Sequence, residues 1–186
     1  IAIGTDAFPP TTDGICNVAK NYAEKINNGL GEAVVVTPKN PNQQDYKYPY
    51  EIFRYKSWWV PTKEGYSVGW PFKEELHQEI IRRNFDLLHA HCPLATSYYF
   101  KRVTRLKPIP TVLTYHTKYE YDFDRTIPGK PAKDFAYKFM RSNINAADEV
   151  WVTSAGTADS LRKFGYEGDY LSLIHISEPT RPLYIS

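Results

Sequence analysis

The sequence has few cysteines, no long apolar run and almost no excess charge. Cys16 and Cys92 are the only cysteines among 186 residues, so no disulfide framework can form, and a reducing compartment is expected. No stretch approaches the roughly 20 apolar residues that a membrane-spanning helix needs. The formal net charge of +2 is far from the strong basic excess typical of nucleic-acid binding. We therefore expect a cytoplasmic globular protein that does not bind nucleic acid.

The sequence also lacks the usual signatures of nucleotide cofactors, nucleophilic hydrolases and metals. No G-x-G-x-x-G fingerprint of dinucleotide binding is present, and no G-x-S-x-G elbow is found. Atoms that suit zinc occur in His89, His91, Cys92 and His116. However, Cys92 alternates to the opposite side of its strand, and no second ligand pair has a fixed spacing. We therefore expect neither a cofactor nor a bound metal.

Short apolar runs and amphipathic stretches alternate regularly along the chain. Strands are predicted at 1–5, 33–37, 50–55, 86–91, 111–115 and 149–153. Helices are predicted at 14–28, 72–84, 94–106, 131–147 and 155–164, the fourth with Phe135, Phe139 and Ile144 facing inward. Such alternation is typical of a parallel sheet with helices on both faces. The predicted fold class is therefore α/β, a Rossmann-like doubly wound parallel sheet.

Neither end of the chain resembles a natural terminus. The sequence begins at Ile1, inside a predicted strand and without an initiator methionine. Residues 171–186 resemble the translation of a sequencing adapter, and such foreign segments are set aside before the fold is considered. We expect one natural domain over residues 1–170 and a non-native tail over residues 171–186.

The first strand leads through a loop into a helix that begins near Asp13 and Gly14. Ligands of parallel sheets bind where the strands end at their carboxyl side. Asp13 is a typical N-cap residue, whereas Gly14 lets the backbone approach a ligand closely. The free N–H groups of a helix N-terminus favour an anion. The two interpretations are compatible with each other.

Two further strands each end at a histidine. His91 closes the fourth predicted strand, and His116 follows the fifth. The carboxyl ends of parallel strands meet at one edge, so both rings are expected there. Period two also places His89 on the same face as His91. A single strand histidine is usually a core residue, but two at adjacent strand ends favour a functional His91.

Four segments in this order resemble the motifs of the retaining glycosyltransferase family 4. They are FPP at 8–10 with DG at 13–14, DLLHAH at 86–91, TVLTYHT at 111–117 and ADEVWVTS at 147–154. The family's corresponding patterns are F/Y-P-P-x-x-G-G, D-I-V-H-x-H, P-V-V-x-T-x-H-T and A-D-x-V-x-x-x-S. The resemblance covers about the first 170 residues. One departure is Asp13, which stands where the family has the first of two glycines.

The resemblance implies the acceptor-side half of a GT-B enzyme. The family transfers a hexose from a nucleotide sugar, with retention and without a metal. His91 matches the histidine that lies against the transferred sugar. Asp13 and Gly14 would approach the donor phosphates, while His116 and Thr117 would line the acceptor side. The donor-binding half is absent from this sequence, so we expect the chain to be inactive alone.

Two other classes of function remain open at this point. One is a GT-B enzyme that does not transfer sugars, such as a sugar-nucleotide epimerase, although no acid/base carboxylates stand out. The other is a non-enzymatic domain that binds a sugar or nucleotide. Separately, the basic run at 101–107 follows three aromatic residues and would suit peripheral contact with the anionic inner face of a membrane. Such a run is also found on solvated helix faces.

Overall fold

The computed structural model describes residues 1–11, 13–59, 67–70 and 74–174 of the chain. Its strands are β1 (Ala2–Gly4), β2 (Val34–Pro38), β3 (Ile52–Tyr55), β4 (Ser57–Trp59), β5 (Ser67–Gly69), β6 (Leu88–Ala90), β7 (Thr111–Tyr115), β8 (Glu149–Val152) and β9 (Leu171–Ser172). Its helices are α1 (Gly14–Asn27), α2 (Glu74–Arg82), α3 (Ala95–Leu106), α4 (Tyr119–Thr126), α5 (Lys130–Ile144) and α6 (Ala155–Lys163). A short 3-10 helix spans Asp45–Lys47.

Seven strands form one sheet in the order β3-β2-β1-β6-β7-β8-β9. Every neighbouring pair in this sheet is parallel. The chain therefore winds outward from β1 to one side and from β6 to the other, which confirms the doubly wound α/β prediction. The strands β4 and β5 form a separate antiparallel hairpin.

The core lies on both faces of the sheet because neighbouring strand residues point in opposite directions. Ile3 packs with Ala19 and Ala23 of α1 on one face. Ala2 packs with Ile80 of α2 and Val103 of α3 on the other. A third cluster joins β7 and β8 to α5 and α6. Strands buried on both sides explain why β2 reads as a continuous apolar run.

Helix α3 lies unusually close to β1 at Gly4. A Cβ atom on Gly4 would come within 2.6 Å of the Phe100 ring and 2.7 Å of Thr96 Cγ2. Such distances are shorter than any normal carbon contact, so only glycine fits without displacing the helix. The close approach brings the N-terminal turn of α3 directly over the end of β1.

Local residues mark the ends of the helices, and the N-cap predicted at Asp13 is present. The Asp13 carboxylate accepts a hydrogen bond from the Cys16 N–H at 2.7 Å and so caps α1. Gly29, beyond the C-terminus of α1, has a φ of 118°, a conformation that glycine adopts easily. Ser154 and Thr157 form a reciprocal capping box at the start of α6.

Three features differ from the prediction. The hairpin β4–β5 and helix α4 were not predicted, because their segments are short and carry no clear apolar period. Phe135 was predicted to face inward but is 71% exposed, so that prediction is wrong. Helix α5 instead turns Met140, Asn143 and Ile144 toward the core. Part of the predicted second helix, residues 72–73, lies outside the described residues.

The expected tail begins inside the sheet. Leu171 and Ser172 form β9, which pairs with Trp151 and Val152 of β8. Residues 175–186 lie outside the described residues. The boundary at residue 170 stays a prediction.

Candidate functional site

The carboxyl ends of β1, β6, β7 and β8 meet at one edge of the sheet, because these strands are parallel neighbours. His91 and His116 directly follow β6 and β7, whereas Asp6 and Ser154 lie two residues beyond the ends of β1 and β8. Helix α1 also begins at this edge, since it follows the loop after β1. The predicted site residues Asp13, Gly14, His91, His116 and Thr117 therefore all belong to this one rim.

Three histidine rings are stacked along β6 and the end of β7. The ring centroids of His89 and His91 lie 4.2 Å apart with an interplanar angle of 28°. Those of His91 and His116 lie 5.2 Å apart with an angle of 29°. A hydrogen bond joins His91 Nδ1 to His116 Nε2 at 3.0 Å. The structure thus brings the two predicted histidines into direct contact.

Aromatic side chains surround this histidine stack. Tyr22 of α1 lies edge-on to His89 and to His91, with centroid distances of 5.2 and 5.1 Å. Trp151 of β8 lies edge-on to His89 at 5.1 Å. His89 Nε2 is hydrogen-bonded to Thr114 Oγ1 at 2.8 Å. His89 therefore has the contacts of a core residue. Its ring also packs against that of His91 and helps to hold it in place.

Burial keeps all three imidazoles neutral near pH 7. It lowers the pKa of His89 to about 3 and that of His116 to about 4. The pKa of His91 lies well below its usual value of 6.5 for the same reason, with further lowering by its two histidine neighbours. The rings therefore act as neutral donors and acceptors of hydrogen bonds and not as cations.

The two predicted histidines differ in their access to solvent. His91 is 0% exposed, and its Nε2 atom has no hydrogen-bond partner within the described part of the chain. His116 is only partly buried. A ligand that reaches His91 Nε2 must displace the groups that cover it, whereas His116 and the partly exposed Thr117 already lie at the rim.

The N-terminus of α1 leaves room beside Gly14. Gly14 is exposed, and no described heavy atom lies within 4 Å of the position its Cβ would take. Its backbone is not in the left-handed region that demands glycine. Neither packing nor conformation therefore requires glycine here, which fits a backbone that a ligand approaches. Asp13 occupies one N–H group of the same helix end.

Asp6 is a residue of this edge that sequence reasoning did not single out. Its Oδ1 atom accepts hydrogen bonds from the Thr96 N–H and the Thr96 hydroxyl, each at 2.8 Å. Burial raises the pKa of this carboxyl to about 6. Its position directly after the predicted strand at 1–5 was the available signal. Its partner Thr96 lies 90 residues further along the chain, so the pairing had no local pattern.

The described residues contain no group of three His, Cys, Asp or Glu side chains placed to hold a metal ion. Among the helices that the structure describes, none is long and apolar enough to cross a membrane.

The fold and this edge define one Rossmann-like half of a GT-B glycosyltransferase, with its histidine pair and helix N-terminus at the carboxyl ends of the strands. The sequence model of Glycosyltransferase Family 4 matches residues 12–176. The chain therefore belongs to Glycosyltransferase Family 4, as the four motifs indicated.

Two solved structures of sucrose-phosphate synthase from Thermosynechococcus elongatus share this fold. In the first, 92% of this chain aligns with 46% of that chain, at 16% identity and a TM-score of 0.64. In the second, 92% of this chain aligns with 85% of that chain, at 15% identity and a TM-score of 0.58. The chain thus spans about half the length of the first structure. No curated protein sequence matches it.

Proposed function

We propose that this chain is the acceptor-side half of a retaining glycosyltransferase. The enzyme transfers a hexose from a nucleotide sugar to a lipid, glycan or polyol acceptor. The observation that carries the proposal is the hydrogen-bonded pair of His91 and His116, which lies on the same sheet edge as the open N-terminus of α1 at Gly14. Membership in the family supports the transfer of a sugar.

The helix N-terminus would serve the leaving group. A departing nucleoside diphosphate gains negative charge, and free backbone N–H groups aimed at it stabilise that charge. The open space at Gly14 lets a phosphate approach the backbone. The remaining positive charge would come from the expected second domain. In this proposal the reaction needs no metal ion.

The histidine pair would serve the sugar and the acceptor. Two neutral imidazoles share one proton between His91 Nδ1 and His116 Nε2, so each ring keeps one further nitrogen for another partner. Such nitrogens suit the hydroxyl groups of sugars, which both donate and accept hydrogen bonds. His116 and Thr117 would line the acceptor side, and His91 would lie against the transferred hexose once the groups that cover its Nε2 atom are displaced.

Peripheral contact with an anionic membrane remains part of the proposal. The basic run at 101–107 that would make this contact lies in the C-terminal half of α3 and the residue that follows it. Helix α3 starts at the site edge and runs back, so its last turn lies at the opposite edge of the sheet. Two of the cations are already engaged: Lys101 with the Ser142 carbonyl at 2.9 Å and Lys107 with Asn84 at 2.6 Å. Arg102 and Arg105 are the exposed pair.

The decisive experiment uses the full-length enzyme from the complete gene. Release of nucleoside diphosphate is measured over a panel of nucleotide sugars, and the anomeric configuration of the product is read by NMR. We expect release with at least one donor, retention of configuration and a loss of about 100-fold or more in His91→Ala. His77→Ala is the matched control, since His77 is an equally buried histidine that packs against Tyr99 and not against the histidine pair.

Three outcomes would contradict the proposal in different ways. No release from a folded full-length protein would remove the transferase. Inversion of configuration would remove the retaining mechanism. Equal losses in the His91 and His77 variants would reduce His91 to a packing residue.

A further inference from the structure

We propose that Asp6 is a positioning residue of the transferase site, which fixes the turn after His91 and thereby the contact between His91 and His116. The inference rests on the proposed function for its catalytic consequence, but not for its structural part. Asp6 itself need not touch a substrate. It lies at the end of β1, next to the strand that carries His91.

The carboxylate of Asp6 holds the far end of this turn. Thr96, in the first turn of α3, donates to Asp6 Oδ1 from both its N–H and its hydroxyl at 2.8 Å. The same hydroxyl lies 3.2 Å from the carbonyl oxygen of Thr5. No side chain of the preceding residue, Leu94, caps this helix. The N-terminal turn of α3 is therefore capped by Asp6, which lies in the loop after β1.

The backbone around Asp6 holds the near end of the turn. The N–H of His91 donates to the Gly4 carbonyl at 2.8 Å. Both ends of the segment from His91 to Thr96 are thus attached to the three residues that follow one another at the end of β1.

The middle of the turn is held from the opposite side. Asn143 of α5 donates its amide protons to the carbonyl oxygens of Pro93 and Leu94, at 3.0 and 3.1 Å. The turn lies between Asp6 on one side and Asn143 on the other. The backbone after His91 therefore has little freedom, which gives the His91 ring one orientation toward His116.

The same carboxylate also reaches the hairpin β4–β5. The Tyr55 hydroxyl is hydrogen-bonded to Thr96 Oγ1 at 2.8 Å and lies 3.4 Å from Asp6 Oδ1. The backbone of Gly69 in β5 rests on this tyrosine, since a Cβ there would lie 2.5 Å from the hydroxyl oxygen. Asp6 is thus the common point of the histidine turn and of a hairpin at the same edge.

Capping α3 does not by itself require a buried carboxylate, because burial of Asp6 carries a desolvation cost. The Oδ2 atom of Asp6 is enclosed without a hydrogen-bond partner among the described residues, and burial raises the pKa of the group to about 6. A Ser or Asp at the partly exposed position 94 would cap α3 with less desolvation than the fully buried Asp6. A buried acid in this place is better explained by the position it gives to the turn.

The test compares Asp6→Ala and Asp6→Asn in the full-length enzyme, well below their melting temperatures. Asn keeps an acceptor oxygen for Thr96, whereas Ala keeps none. We expect kcat to fall by about 30- to 100-fold in Asp6→Ala with the donor KM within about threefold, because a small misplacement of a reacting group has effects of this size. Asp6→Asn should stay within about fivefold of the wild type.

A double-mutant cycle separates positioning from general stability. If Asp6 acts through His91, Asp6→Ala should have no further effect on kcat in the His91→Ala background. Equal losses in both backgrounds, or a lower melting temperature with unchanged kcat, would overturn the proposal.

A measurement on the 186-residue chain separates this proposal from the proposed function. The ring resonances of His91 and His116 should shift in Asp6→Ala by more than those of His77, which is linked to Asp6 indirectly, through Tyr99 and Tyr55. Such shifts without turnover in the full-length wild type would remove the transferase and keep the positioning role. Unchanged resonances would overturn the positioning role, whatever the enzyme does.

Discussion

The guanidinium of Arg54 lies beneath the loop that leads from β1 into α1. It donates to both oxygens of Asp45, to the Pro38 carbonyl at 3.0 Å and to the Pro9 carbonyl at 2.7 Å. It also lies 5.7 Å from the centroid of the Phe8 ring. A cation with this many partners fixes the loop before Gly14, so a residue outside the site controls the shape of its rim.

Arg54→Ala should therefore be much more destabilising than the same change at Arg83. The Arg54 side chain is only 4% exposed, and removal of one partner of a buried ion pair costs about 3–5 kcal/mol. Arg83 also pairs with a carboxylate, Glu51, but is 26% exposed, which limits the pair to about 1 kcal/mol or less. Urea unfolding of the two variants measures the difference. Equal losses would show that Arg54 is not the anchor of the loop.

At the scale of elements, two glycines of the β1–α1 region differ in the space around them: packing requires glycine at position 4 but not at position 14. Phe100 and Thr96 of α3 occupy the space that a Cβ on Gly4 would need, whereas the corresponding space at Gly14 is open. Gly4→Ala should destabilise the fold by about 1–3 kcal/mol, because the added methyl overpacks the β1–α3 contact. Unfolding in urea checks this, and a change below about 0.5 kcal/mol would contradict the packing argument.

Gly14→Ala is the matched change at the site. It should leave stability unchanged or slightly higher, because alanine is the better residue in a helix. In the full-length enzyme it should nevertheless lower kcat/KM for the donor by about tenfold or more, since the methyl group occupies the space a phosphate would use. Full activity with unchanged stability would mean that no ligand approaches the backbone here.

The elements that could be predicted from the sequence are those with local signals. The cap at Asp13, the end of α1 at Gly29 and the capping box at Ser154 each depend on a few adjacent residues. The site was predictable as far as parallel strands bring His91 and His116 to one edge. The hydrogen bonds of Asp6 with Thr96, and of Asn143 with the turn before Thr96, join segments that are distant in the sequence. They therefore produce no periodic pattern from which they could be predicted. The outward turn of Phe135 was missed because α5 carries apolar residues on more than one face.

At the scale of the whole molecule, buried titratable groups give the fold a defined dependence on pH. His89 and His116 have folded pKa values of about 3 and 4, below their usual 6.5, and His91 is lowered as well. The folded state disfavours their protons, so their contribution to stability is present above pH 6.5 and is lost as the pH falls toward 4. Asp6 acts in the opposite direction, since its pKa is raised from 3.8 to about 6. Its contribution grows as the pH falls through 6.

The histidines outnumber Asp6, so acidification from pH 7 to 5 should destabilise the chain. Between pH 7 and pH 5, protonation of one such histidine in the unfolded state lowers the free energy of unfolding by about 2 kcal/mol. Protonation of Asp6 in the folded state raises it by about 1 kcal/mol, since each pKa unit corresponds to 1.36 kcal/mol. Urea unfolding at the two pH values measures the net loss. His116→Gln should reduce the loss by removing one of the groups, whereas Asp6→Asn should increase it by removing the opposing one. Equal stability of the wild type at both pH values would mean that the histidine stack opens to water, and that the neutral pair at the site edge does not exist in solution.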